Sequence, residues 1–155
     1  QDLTQSALHF LSEAIKGKNI YLETSIDEPI DIECDPILIE TIIKNIINNA
    51  IIALAGNSNN PTLRFETGIC YAEYEVYLKI WNNGPPIPLE IHDRIFDPFF
   101  TTQRVGEGVG LGLSVSFEIM KTHGGRITFS SSQQGGTEFT LTFPKILQKH
   151  NLAAA

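Results

Sequence analysis

The chain has 155 residues, of which 42% are hydrophobic and 19% charged, the balance of one globular domain with its own core rather than of a disordered segment. Its net charge of −7 argues against a nucleic-acid binder, which would carry a basic face. No apolar stretch approaches the roughly 18 residues that a membrane span needs, so no membrane contact by this domain is expected.

Leu3, Ala7, Leu8, Leu11, Ala14 and Ile15 recur at helical spacing, with Gly17 as a natural stop. Residues 20–26 and 30–34 alternate as two short strands split by Asp27-Glu28-Pro29. Asp35 is a good N-cap and Pro36 suits the first helical position, so a helix is expected from there to about Leu54. Thr62–Cys70 and Glu73–Trp81 read as paired strands, followed by the turn residues Asn82-Asn83-Gly84-Pro85-Pro86 and a short helical turn near Leu89–Asp93. An irregular stretch leads to Gly110, a helix spans Leu111–His123, and residues 126–131 and 137–143 form a closing hairpin. Blocks of strands and helices with short connections favour an α/β fold: a two-layer sandwich, with a mixed β-sheet covered on one face by about three helices. Cys34 and Cys70 have no CxxC spacing and no nearby histidine, and read as reduced thiols in strand-like segments of a cytoplasmic protein. No signal-peptide pattern is present, and Asn151-Leu152-Ala153-Ala154-Ala155 looks like vector sequence, so an excised piece is expected.

Two segments carry chemistry. In Gly106-Glu107-Gly108-Val109-Gly110-Leu111-Gly112 a glycine occupies every second position and leads into a helix. Glycines let a ligand approach the backbone, and a helix start offers unpaired N–H groups at the positive end of a dipole, which together suit a phosphate chain. On the helix from Asp35, residues Ile39, Ile42, Ile43, Ile46, Ile47, Ala50 and Leu54 fall on one stripe. Asn45 and Asn49 flank that stripe one turn apart, whereas Asn48 faces solvent. A carboxamide oxygen suits Mg²⁺ that leans on substrate phosphates. The helix alone leaves open that both asparagines merely cap a loop or sit in water.

The motifs together resemble those of one family. Ile43–Ala50 resembles the N box of sensor histidine kinases, and Asn82–Pro88 a variant of their first glycine box. Arg94–Thr102 is similar to the F box, Gly108–Ser114 to the second glycine box, and Gly135–Phe139 to the last glycine motif. The resemblance covers roughly residues 19–144 and is to the ATP-binding catalytic domain, in one superfamily with DNA gyrase, Hsp90 and MutL. It implies a Bergerat-type sandwich with ATP between the asparagine helix and a lid, Thr101–Gly110, that the γ-phosphate orders.

By position, the resemblance makes Asn49 the Mg²⁺ ligand and places Asn45 on the same phosphate side. Asn82 stands where an aspartate usually accepts the adenine amino group, and Pro86 where a second glycine is usual. Ile52 occupies a position often basic, so Arg104 of the lid is expected to supply that charge, with Asn45 and Arg104 as the catalytic candidates. Gly110, Leu111, Gly112 and Leu113 would cradle phosphate, and Gly84, Ile87, Thr101, Thr102, Gly108 and Thr137 complete the expected nucleotide contacts. Phe96, Phe99 and Phe100 match hydrophobic hinges of the lid, or are ordinary core aromatics.

Other phosphate-binding folds fit less well. A Rossmann motif needs its glycines straight after a buried strand, and a P-loop needs a lysine after the last glycine, where this chain has Leu113. Hydrolases of the superfamily place a glutamate where this chain has Asn45, a poor base, which favours phosphoryl transfer over hydrolysis. A degenerate, non-catalytic nucleotide-sensing or interaction module is the alternative. His9, His92, His123 and His150 do not fit the acceptor motif. The expected acceptor is therefore a histidine on a separate dimerisation domain, with residues 1–18 as a connector helix, 19–147 as the catalytic domain and 148–155 as a tail. A response regulator downstream and a homodimeric, cytoplasmic or membrane-anchored parent follow from the same resemblance.

Overall fold

Period-3.6 and period-2 apolar patterns sort into two layers in the computed structural model, which describes residues 3–27, 32–55, 59–103 and 108–145. The helical layer holds α1 (Leu3–Ile15), α2 (Pro36–Ala55) and α3 (Gly112–Thr122). The sheet holds β1 (Tyr21–Ile26), β2 (Thr62–Cys70), β3 (Glu75–Asn82), β4 (Arg126–Ser132) and β5 (Gly136–Pro144). Its order is β1-β2-β3-β5-β4, with β1 parallel to β2 and the remaining pairs antiparallel. The fold is the expected mixed sheet with helices on one face.

Along β3 the inward row is Val76, Leu78, Ile80 and Asn82; along β5 it is Thr137, Phe139, Leu141 and Phe143. These rows meet the isoleucine stripe of α2, where all seven stripe residues are buried as the periodicity requires. The opposite face is polar: Lys79 lies between Glu66 (3.7 Å) and Glu138 (3.8 Å). Asp35 caps α2, its Oδ1 accepting from the N–H of Ile37 at 2.9 Å.

Two expectations need correction. Residues 32–34 form no strand, and residues 28–31 lie outside the described set. The alternation there reflects Ile32 and Cys34 packing against the core. Among the described residues β1 pairs with β2 alone, and the cap at Asp35 already commits the chain to α2. The expectation that no segment is apolar enough to span a membrane also fails by composition, since α2 reaches a mean hydropathy of 1.6 over 18 residues. Its buried stripe against the sheet accounts for that hydropathy, as in the core helix of a two-layer domain.

Candidate functional site

A cavity of about 430 Å³ opens between α2, the loop after β3 and the segment leading into α3. Of the expected site residues, Asn49, Asn82, Ile87, Thr101, Thr102, Gly108, Gly110, Leu111, Gly112, Leu113 and Thr137 line it. Asn45 lies instead in an adjoining cavity of about 680 Å³, which shares Asn49, Ile52, Gln103 and Gly112 with the first. Arg104 and the rest of 104–107 lie outside the described residues.

One end of the cavity is closed by internal hydrogen bonds. Asn82 ends the inward row of β3 and is only 3% exposed, in register with Thr137 of β5. Its Nδ2 donates to the Thr137 carbonyl (3.3 Å), and its Oδ1 accepts from the Gly84 N–H (3.0 Å). A second lone pair of that oxygen remains for a ligand N–H. Gly84 does not line the cavity but sits behind it: a Cβ there would lie 3.0 Å from Ala53 and 2.8 Å from Asn82 Oδ1. Ser131, absent from the sequence reading, accepts from the Ile87 N–H (2.8 Å) and bonds the Thr137 hydroxyl (2.7 Å). With Pro85, Pro86, Ile91 and Phe139 alongside, the result is an apolar slot with one oriented carboxamide at its end.

The other end is left open. The α3 helix begins after Leu111 with no side-chain cap, so its first N–H groups face the cavity at Gly112 and Leu113. Gly110, at φ +70°, presses against the F-box backbone; a Cβ would stand 2.6 Å from the Phe99 carbonyl carbon and 2.7 Å from the Phe100 oxygen. Asn49 is half-buried, and its carboxamide makes no hydrogen bond to any described residue. Asn45 is different. Its Nδ2 donates to the Gly112 carbonyl (3.0 Å) and to Ser116 Oγ (3.2 Å), tying α3 to α2. Sequence reading missed Ser116, because its burial and its contact with Asn45 arise between residues 71 apart in the chain.

Phe96 packs against Phe117 and Phe129, and Phe100 lines the cavity, but Phe99 is 72% exposed at φ +66°. It is therefore no core aromatic. None of the described lining residues of the first cavity is charged, and the described residues hold no cluster of three His, Cys, Asp or Glu. Groups with displaced proton affinity lie elsewhere: burial raises the Cys34 thiol and the Tyr77 phenol, and the Arg126 hydrogen bonds lower Glu75. A cation here would be held by neutral oxygens such as the Asn49 carboxamide together with oxygens of its own ligand, as suits Mg²⁺.

Residues 34–147 match the family model described as histidine kinase-, DNA gyrase B- and HSP90-like ATPase. The chain belongs to this family, as a catalytic domain of the sensor histidine kinases. The signal transduction histidine-protein kinase AfsQ2 of Streptomyces coelicolor is 32% identical over 114 residues, which are 72% of this chain and 20% of that protein. The chain thus spans about a fifth of that relative. The nucleotide-free catalytic domain of histidine kinase ThkA is 32% identical, with a TM-score of 0.78 over 92% of both chains. ThkA in complex with the response regulator TrrA matches at 31% identity and a TM-score of 0.75, over 95% of this chain and 40% of that one.

Proposed function

We propose that this domain binds Mg-ATP in the cavity described and transfers the γ-phosphoryl group to a histidine on a separate dimerisation domain. The observation that carries the reading is the division of the cavity. An apolar slot ends in the Asn82 oxygen, and an uncapped helix start faces the unengaged carboxamide of Asn49. The adenine would enter the slot and give an amino hydrogen to Asn82, while the phosphates meet the N–H groups at Gly112 and Leu113. Asn49 would hold Mg²⁺ with phosphate oxygens and water. Bound there, the metal neutralises phosphate charge, and the chain contributes position and dipoles rather than a base.

Asn45 holds α3 in place and offers no basic group to activate water, which supports transfer to a protein over hydrolysis. Arg104 is proposed as a lid cation. Residues 1–18 are proposed as the connector from a dimerisation domain, with the domain facing the cytoplasm of a homodimeric parent and a response regulator downstream. That ThkA forms a complex with the response regulator TrrA supports the last of these. The test is phosphotransfer: with Mg-ATP, this domain should place acid-labile phosphate on its own dimerisation domain supplied separately, and none on itself. Tight Mg-ATP binding without transfer would favour a nucleotide-sensing module. Labelling of the isolated domain would contradict the placement of the acceptor.

A further inference from the structure

The adjoining cavity runs from the α3 start toward the C-terminal end of α1, and its described walls carry two charged side chains, Glu13 and Lys18. Lys16 takes up Glu13 at 3.7 Å. Lys18 forms no ion pair among the described residues. Its backbone is fixed by a turn in which its N–H donates to the Ile15 carbonyl (2.9 Å), between Gly17 at φ +73° and Asn19 at φ +51°.

We propose that Lys18 binds the terminal phosphate of Mg-ATP. This rests on the nucleotide reading above and deepens it. Asn49 and Gly112 line both cavities, so a phosphate chain laid between them points from the uncharged first cavity into the second. A chain with net charge −7 repels a triphosphate at long range, and the described walls of the first cavity supply no cation to offset this. Ile52, which also lines both cavities, brings only an apolar side chain. Lysine is a compact charge on a flexible stem and suits a terminal phosphate, which carries the largest share of charge of the three phosphates.

The experiment is equilibrium titration of Mg-ATP and Mg-ADP into the wild-type domain and into Lys18→Ala, Lys18→Arg and Arg104→Ala at low and moderate salt. Lys18→Ala should weaken Mg-ATP roughly five- to tenfold and Mg-ADP less than about twofold, with the gap narrowing as salt rises. Lys18→Arg should retain most of the ATP preference. A merely structural role for Lys18 would lower both affinities alike, independent of salt, and that result overturns the proposal. So does an ATP preference lost in Arg104→Ala but intact in Lys18→Ala. Failure of the folded wild-type domain to bind Mg-ATP at all would instead overturn the nucleotide reading itself.

Discussion

The two ends of the cavity are built on opposite principles. At the Asn82 end, side-chain and backbone groups satisfy one another through Gly84, Thr137, Ser131 and Ile87, so the slot exists without a ligand. At the α3 end the helix start is uncapped and Asn49 is unengaged, so its polar groups are left for something that arrives. Rigid recognition of a base thus rests on the sheet ends and the loop after β3, and adaptive capture of phosphate on the start of α3 and Asn49 of α2, within one cavity.

The contrast breaks most severely at Gly136. It sits at φ +69°, and a Cβ there would lie 2.2 Å from the Asn82 carbonyl oxygen. Gly136→Ala should cost about 2–4 kcal/mol, from left-handed backbone strain plus a clash with rigid backbone. Denaturant unfolding would measure it. A stability within about 0.5 kcal/mol of wild type would mean that the closed end is looser than described.

Asn82 separates stability from affinity. Asn82→Leu should abolish most Mg-ATP binding and strand the Gly84 N–H and Thr137 carbonyl, at about 1–3 kcal/mol for each unmet group. Asn82→Asp should keep or raise ATP affinity, because a carboxylate accepts more strongly. The same change should lower the melting temperature of the free domain, because it faces the Thr137 carbonyl with an acceptor in place of a donor. Thermal unfolding with and without nucleotide reads both effects.

The two asparagines of α2 sharpen the comparison further. Asn45→Ala should cost about 1–2 kcal/mol of stability, since it frees α3 from α2. Asn49→Ala should leave the unfolding midpoint unchanged and act on Mg-ATP alone. Matching losses of stability would erase the distinction between a structural and a ligand-facing carboxamide.

The smallest effect lies far from the cavity, at the exposed pair Arg126–Glu75, where Arg126 Nη2 donates to Glu75 Oε2 at 2.6 Å. Hydrogen bonds from Arg126 hold the Glu75 carboxyl below its usual range. Its stabilisation is therefore present above the ordinary carboxylate range and is lost as pH falls through the lowered folded value. Arg126→Ala should flatten that acid limb slightly in pH-dependent unfolding, and a steeper limb would reverse the sign.

Much of this was legible in the residues. The stripe on α2, the flanking Asn45 and Asn49, and the glycines before α3 follow from local periodicity and backbone freedom, which sequence records directly. What escaped depends on non-local pairing. Ile32 and Cys34 alternate like a strand, but among the described residues no strand pairs with them, and they pack against the core instead. Asn45 and Asn49 look alike in sequence, and only the approach of Gly112 and Ser116 from a distant helix makes one structural. Gly84 acts from behind the cavity through Ala53, a contact that no spacing announces. Phe99 reads as a lid hinge or an ordinary core aromatic, yet at φ +66° its side chain is exposed to solvent.

The central claim, that the open end receives a metal-bound phosphate chain, is tested most directly by calorimetric titration of Mg-ATP into wild type, Asn49→Ala and Asn48→Ala. Asn48 lies on the same helix but is exposed. Wild type should bind at one saturable, Mg²⁺-dependent site, Asn49→Ala should weaken it by at least about tenfold, and Asn48→Ala should remain near wild type. Equal losses in both variants, or no binding by the folded wild-type domain, would contradict it.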